Sequence, residues 1–401
     1  MNNDYPGQYN ISAKPGSTFI LENCIIHPKN EEYSYSILIE NSTFRMSNCE
    51  INHAGYLSER GDRPALHLSY CNNVILINNS FTNLKHNRAV DMEFVNNSVV
   101  TNNECVTKTN HYSEHEPQGF FIYNCKNNTY SNNYISACLG FSIRGSVQNN
   151  FINNIIEGGP SKDLGSGFQL EGDSNNNVFI NNTIYGPEGC TGFRIFSLNN
   201  LVYNNKISDI GYGIVVIRGS GNIIANNDIE RIYKHDGILL YRSHDNYVIN
   251  NNISTALEGI TLANHACNNI IYGNTVTDCE RGISLHFSSN NNTISYNTVA
   301  DSRRLYLHED WSVDNIYRSM VLHNSSGNHI YSNNFLDGKG QAYDDGENNW
   351  SLNGKGNFWG DYAGPDINKD GIGDATYNNS HGVFDPSPQM NLVPIASKEV
   401  P

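Results

Sequence analysis

One short pattern recurs through the middle of the chain: Asn-Asn, apolar-x-apolar, Asn-Asn, x-apolar, a short turn, then Gly-apolar-x-apolar. Asn176-Asn177-Val178-Phe179-Ile180-Asn181-Asn182-Thr183-Ile184 leads to Gly192-Phe193-Arg194-Ile195. Asn199-Asn200 leads in the same way to Gly213-Ile214-Val215-Val216, and Gly221-Asn222 to Gly237-Ile238-Leu239-Leu240. Asp245-Asn246 leads to Gly259-Ile260-Thr261-Leu262, and Asn268-Asn269 to Gly282-Ile283-Ser284-Leu285. Alternating apolar residues mark strands with one buried face. Three such strands per unit cannot enclose a core alone, but units stacked in register can. The expectation is an all-β, single-stranded right-handed parallel β-helix of about a dozen coils, each ~20–25 residues long.

The Asn residues then have a physical task. A buried amide needs partners for its donors and acceptors, and a ladder of Asn from coil to coil supplies them. About one residue in six is Asn, a type that disfavours helix interiors and favours turns. Gly before the third strand is expected to supply a backbone conformation that other residues disfavour. The nine Cys follow the repeat. Cys71, Cys125 and Cys267 precede Asn turns, and Cys138, Cys190 and Cys279 precede a repeat Gly. They read as small buried stacking residues rather than a disulfide framework. The repeat fades after Leu336, which divides the chain into a β-helix over residues 1–340 and an irregular capping segment over 341–401.

Composition excludes some functions. The net charge is −15 and the pI about 5.3, with no basic stripe of the kind nucleic-acid binding requires. No apolar run approaches the ~20 residues that cross a bilayer. The start, Met1-Asn2-Asn3-Asp4, lacks the basic and apolar regions of a signal peptide. Ser17-Thr18-Phe19-Ile20-Leu21 already reads as a coil strand, so the expectation is an excised domain with its targeting segment upstream. That places the protein outside the cell, on its surface or in a periplasm.

The repeat resembles that of the NosD-like group of right-handed parallel β-helices, also described as carbohydrate-binding and sugar-hydrolase repeats. The resemblance covers roughly residues 15–340 and is specific for fold, not for activity. Asn357-Phe358-Trp359-Gly360-Asp361-Tyr362, with Gly364-Pro365-Asp366-Ile367-Asn368-Lys369-Asp370-Gly371-Ile372-Gly373-Asp374, is similar to the end motif of that group. The second stretch also has calcium-loop spacing, with oxygen donors at alternate residues and a Gly at the turn. Asp366, Asn368, Asp370, Asp374 and the Ile372 carbonyl are the expected ligands of a structural calcium ion. The distal bidentate Glu of a full EF-hand is missing.

In pectate-lyase-like β-helices the Asn ladder lies between the second and third strands. By that analogy, the Gly-led strand here is the substrate-facing one. Its first outward row reads His67, Asp91, Phe121, Ser142, Gln169, Arg194, Val215, Leu239, Thr261 and Ser284. Its second reads Ser69, Glu93, Tyr123, Arg144, Glu171, Phe196, Ile217, Tyr241, Ala263 and His286. Ionisable groups concentrate between His67 and Arg194. Insertions break the period at Thr107–Pro117 (with His111, Glu114, His115 and Glu116), Gly158–Ser166 and Ser302–Arg318, and inserted loops on a rigid scaffold are where function concentrates.

Two chemistries fit. A uronate lyase or C5-epimerase needs a cation for the carboxylate, met by Arg144 or Arg194, and an acid and base, met by Tyr123 and His115 or His111. Glu171 completes this catalytic set; Asp91, Glu93, Gln169, Phe196 and Tyr241 are the substrate-binding candidates. A glycoside hydrolase needs carboxylates about 5–10 Å apart, whereas Glu93 and Glu171 lie three coils apart, roughly 14 Å. The favoured reading is a lyase or epimerase acting on an acidic polysaccharide. The alternatives are a glycoside hydrolase, a non-enzymatic carbohydrate-binding or surface-layer module, and a NosD-like accessory protein for copper-enzyme maturation. Against the last stand only five Met and no Met/His cluster. His235, His244 and His265 read as surface or turn residues, since no tight ligand spacing recurs.

Overall fold

The computed structural model describes residues 8–30, 32–58, 61–84, 88–107, 117–159, 165–233, 235–302, 318–337 and 341–394. The regular structure among them is entirely β-strand. The chain forms two compact units, Met1–Leu201 and Val202–Pro401.

In the first unit, every coil adds one strand to each of three parallel sheets. The first sheet runs Gln8–Ser12, Ser34–Glu40, Leu66–Ser69, Arg88–Glu93, Gln118–Tyr123, Leu139–Arg144, Gly165–Glu171 and Cys190–Ile195. The second begins at Thr18–Glu22 and Thr43–Ser47, so the strand expected near residue 17 is present. The parallel register places like residues over like. Phe120, Phe141, Phe168 and Phe193 stack at 4.8–5.1 Å between centroids. Tyr130, Phe151 and Phe179 form a second column, each 4.8 Å from the next. The two columns meet edge to face, with Phe141 5.1 Å from Phe151, which adds directional attraction to simple burial.

Each Asn-Asn pair divides its labour. The first Asn takes the left-handed conformation that turns the corner, as Asn153 (φ 55°) and Asn181 (φ 57°) do; among non-glycine residues Asn tolerates this best. The second is buried and forms the ladder. Asn79 donates to Asn103, Asn103 to Asn133, Asn133 to Asn154 and Asn154 to Asn182, at 2.9–3.0 Å. A second ladder, Asn128–Asn149–Asn177–Asn200, runs at the turn between the first and second sheets. The sequence reading anticipated one ladder; the short second sheet in fact lies between two.

The role expected for the repeat Gly requires correction. Gly140 and Gly167 do not adopt left-handed backbone; a Cβ on either would lie 2.5 Å from the Gly167 oxygen or 2.7 Å from the Gly192 oxygen. Their use is close approach between coils. The nine cysteines form no disulfide among the described residues, and Cys71, Cys105, Cys125, Cys138, Cys190 and Cys279 are buried along the coils.

The second unit repeats the plan with six strands in its first sheet, from Tyr212–Ile217 to Ala342–Asp344. Its core columns are aliphatic: Ile214, Ile238, Ile260 and Ile283 stack in the first sheet, and Ile224, Val248, Ile271 and Ile294 in the second. Residues after 340, expected as irregular, still carry a coil: Ala342–Asp344 pairs with Arg318–His323, and Phe358–Trp359 with Asn334–Phe335. The ladder ends on a carboxylate. Asp385 Oδ2 accepts from Asn357 N at 2.7 Å and from Trp359 Nε1 at 2.9 Å, and so closes the buried polar column with its donors satisfied.

Candidate functional site

On the first unit's first sheet the two expected outward rows are in register. Leu38, His67, Asp91, Phe121, Ser142, Gln169 and Arg194 align across the coils, as do Glu40, Ser69, Glu93, Tyr123, Arg144 and Glu171. The rows are not equally open. Asp91 is 4% exposed and Phe121 and Ser142 are buried, whereas Tyr123 and Arg144 are exposed.

Phe121 organises the face. The guanidinium carbon of Arg88 lies 4.4 Å from its ring centroid, and that of Arg144 lies 5.6 Å away. These are cation–π distances, from residues on the coils either side. Each cation has one carboxylate: Arg88 Nη1 is 3.3 Å from Asp91 Oδ2, and Arg144 Nε is 2.8 Å from Glu171 Oε2. Gln169 also donates to Glu171. His67 Nδ1 lies 4.0 Å from Asp91, and burial holds its imidazole below the ordinary value, which favours the neutral ring.

At the end of these strands three aromatic rings adjoin. Tyr70 and Phe94 stack at 4.8 Å, and Phe94 meets Tyr123 edge-on at 5.8 Å. Tyr70 and Phe94 have φ of 54° and 53°, a region bulky side chains rarely enter. Sequence reading missed both, along with Arg88. Their signal was an aromatic residue in the slot where other coils place Asn or Gly, such as Asn124 and Gly145.

The structure thus brings Arg144, Glu171, Gln169 and Tyr123 together, with Asp91 in the neighbouring group of Arg88 and His67. Glu93 is in register with Tyr123, and Arg194 with Gln169. Phe196 is exposed just beyond its strand, its amide donating to Leu170 O at 2.9 Å. His115 and His111 lie outside the described residues, as do His308 to Trp311 in the third insertion. Tyr241 belongs to the second unit, where Arg242 sits 5.4 Å from its ring.

The second unit has its own cluster on the outer face of its first sheet. Thr261 Oγ1 bonds both Asp236 and Glu258, the latter at 2.8 Å. Glu258 also meets Arg281 Nη1 at 2.6 Å and His286 Nε2 at 3.5 Å. Beyond it, His323 Nδ1 is 2.7 Å from Asp345. Burial, then the charge of Glu258, raises Asp236 to about 7. Burial also acts to raise Glu258, but His286, Arg281 and Thr261 together outweigh it and bring Glu258 down to about 2. Sequence reading overlooked Asp236, Glu258 and Arg281 because they precede the repeat Gly, outside the two positions taken as outward.

The expected calcium ligands share one loop, but their oxygens serve its own amides. Asp366 accepts from Asp370 N at 3.2 Å and Gly371 N at 3.1 Å, Asn368 from Asp370 N at 3.0 Å, and Asp370 from Ile372 N at 2.8 Å. Asp374 accepts from Ile367 N. Among the described residues no group of three or more His, Cys, Asp or Glu is gathered as a metal would require.

The family model described as "Periplasmic copper-binding protein (NosD)" matches residues 156–364, and that described as "Right handed beta helix region" matches residues 9–184. No curated protein matches the chain. A mutant of the periplasmic alginate epimerase AlgG is similar at 17% identity over 79% of this chain and 76% of its own, with a TM-score of 0.50. The alginate lyase AlyF-OU02 is similar at 13% identity over 79% and 80%, with a TM-score of 0.47. A tailspike of E. coli bacteriophage HK620, solved with a hexasaccharide, is similar at 10% identity over 86% and 68%, with a TM-score of 0.48. At such identities the likeness concerns the fold. The Asn ladders, the three-sheet coil and a family match over more than half the length agree: the chain belongs to the NosD family of right-handed parallel β-helix proteins.

Proposed function

We propose that the chain acts on an acidic polysaccharide by lyase or C5-epimerase chemistry, at the outer face of the first unit's first sheet. The observation that carries this reading is the pair of guanidiniums, Arg88 and Arg144, flanking Phe121, the first held by the buried Asp91 and the second by the part-exposed Glu171, which a substrate carboxylate can displace. A uronate carboxylate that takes the place of Glu171 on Arg144 loses charge density, which acidifies the adjacent C5–H. Tyr123, beside Arg144, and His115 are the acid and base of this reading. In a lyase the C5 proton passes to the base, the C4–O bond breaks, and the departing oxygen takes a proton. In an epimerase the carbon is reprotonated from the opposite face. Polysaccharide-acting proteins among the similar folds support the substrate class. A polymer substrate places the protein outside the cytoplasm, in keeping with the periplasmic description of the family. Among the described residues no helix is long and apolar enough to cross a membrane. A structural calcium ion on the Asp366–Asp374 loop belongs to the same reading and rests on donor spacing.

The test is incubation with a panel of uronate polymers. Unsaturated ends are followed by absorbance and epimerised units by NMR. Product with wild type and none with Arg144→Ala supports the reading; no product with any polymer overturns it.

Copper handling is a second reading. The family description favours it, and so does one contact: Cys24 and Cys49 Sγ atoms lie 3.1 Å apart, a soft-donor pair of the kind Cu(I) prefers. A Cu(I) titration of wild type against the Cys24→Ser, Cys49→Ser double variant tests it. Equal uptake by both removes the pair from consideration.

A further inference from the structure

The column that carries the buried Asn ladder changes character at its N-terminal end. Asn79, Asn103, Asn133 and Asn154 each accept at Oδ1 from the backbone amide of the rung before, at 3.0–3.1 Å. The rung before Asn79 is Cys49, and the rung before that is Cys24. Cys24 O accepts from Glu50 N at 2.9 Å, as Cys49 O accepts from Ser80 N and Asn79 O from Glu104 N. Two thiols thus stand where every following rung is an amide, although Asn in both places would continue the ladder.

The register brings the two sulfurs together. Ile25–Ile26 pairs with Glu50–Ile51, so Cys24 and Cys49 face each other one residue earlier. Neighbouring parallel strands lie ~4.8 Å apart, within the ~4.4–6.8 Å between Cα atoms that a disulfide spans. The Sγ atoms lie 3.1 Å apart, so small side-chain rotations suffice to join them. Cys49 is 3% exposed and Cys24 is part-exposed. One sulfur is therefore open to a reagent while the other is shielded.

Position gives such a bond a use. Gln8–Ser12, Thr18–Glu22 and Ile25–Ile26 are the terminal strands of the three sheets, each paired on one side only. A coil with a single neighbour opens more easily than one held on both sides. A bond between residues 25 apart in sequence closes a ring of one full coil and removes open conformations from reach.

We infer that Cys24 and Cys49 are a disulfide-forming pair, a covalent first rung that clamps the terminal coil to the second. The oxidant is a small or protein-borne disulfide. The Cys24 thiolate attacks one of its sulfurs and expels the other as a thiolate. Cys49 then loses its proton, attacks Cys24 Sγ and expels the second thiolate. The two cysteines give up two electrons, the oxidant gains them, and the two protons released go to the expelled thiolates. Burial and the adjacent Cys49 raise the Cys24 thiol to about 11, so the exchange is slow at neutral pH and quickens as pH rises. An S–S bond leaves no thiolate for Cu(I), so the clamp and copper handling by this pair exclude each other in one molecule.

The experiment equilibrates the full chain in a buffer of reduced and oxidised glutathione at pH 8.5, then quenches it with acid and maps its peptides by mass spectrometry. A peptide pair joined through Cys24 and Cys49, 2 Da lighter than the two thiol forms and separated by reductant, is the expected product. Hydrogen exchange at Thr18–Glu22 and Ile25–Ile26 should slow at least tenfold on oxidation. Cys24→Ser should lose both effects. The double variant Cys24→Asn, Cys49→Asn restores the amide rungs, and should stay folded with exchange indifferent to glutathione. Two free thiols at oxidising equilibrium, or glutathione held on Cys24 without the internal bond, overturns the pair. Bond formation with unchanged exchange in the first coil overturns the clamp.

Discussion

Arg144 Nε lies 2.8 Å from Glu171 Oε2 on the next coil, and the two side chains are 49% and 33% exposed. An ion pair this open contributes under about 1 kcal/mol to folding. Arg144→Ala should therefore move the melting temperature by no more than about 2–4 °C. Its effect on ligand should be larger: at least tenfold weaker binding of a hexauronate, measured by calorimetry, with a flatter salt dependence. Glu171→Gln removes the competing carboxylate and should tighten the same binding. If both substitutions leave affinity unchanged, uronate recognition does not occur on this face.

Asn153 and Asn154 are chain neighbours with different tasks, which predicts different costs. Asn154 donates to Tyr130 O at 3.0 Å and Asn182 Oδ1 at 2.9 Å, and accepts from Asn133 N at 3.1 Å. Asn154→Ala leaves several buried groups unpaired and should cost about 2–5 kcal/mol, at ~1–3 kcal/mol for each. Asn153, exposed at φ 55°, should accept Gly with little change, whereas Asn153→Val should destabilise by about 1–2 kcal/mol. Urea unfolding of the three variants gives the ranking.

The Asp236–Glu258 pair predicts how stability varies with pH. Asp236 is raised by burial and by Glu258 to about 7 in the folded chain. It therefore favours the fold at low pH, and its contribution is lost as pH rises from about 4 towards 7. Glu258 is brought down to about 2. Its contribution is present above about 4.5 and lost as pH falls towards 2. Together they place the pair's optimum between about pH 4 and 5. Melting temperature against pH should show the decline towards pH 7 in wild type and lose it in Asp236→Asn.

Calcium at the C-terminal loop would recruit oxygens now held by amides at 2.8–3.2 Å. Millimolar calcium should raise the melting temperature of wild type by a few degrees, and a chelator should reverse it. Asp370→Ala should abolish the rise. An unchanged melting temperature in wild type shows that the loop is held by its own hydrogen bonds.

Much of the architecture was open to reading because in-register parallel stacking is set by local spacing. Apolar-x-apolar between Asn pairs dictates which face is buried, and the strands led by a small residue, Ala65, Ala89 and Gly119, then align His67 with Asp91 and Phe121 without further information. The left-handed φ of Asn153 and the ladder bond of Asn154 follow from the same pair. Other features depended on how coils meet. The repeat Gly was misread because crowding by the neighbouring coil's backbone, visible at Gly140, leaves no trace in one coil's own sequence.

Local spacing thus sets the coil, its alternation and the row each outward residue joins, since these depend on neighbours within one repeat. Tertiary structure decided the rest. It put Asp385 beneath Asn357, 28 residues away, as the last rung, and it placed Arg88 and Arg144 on either side of Phe121. It also set one Thr261 hydroxyl between Asp236 and Glu258. Charge state and recognition depend on distances of a few ångströms between coils and on the water excluded there, and spacing along the chain encodes neither.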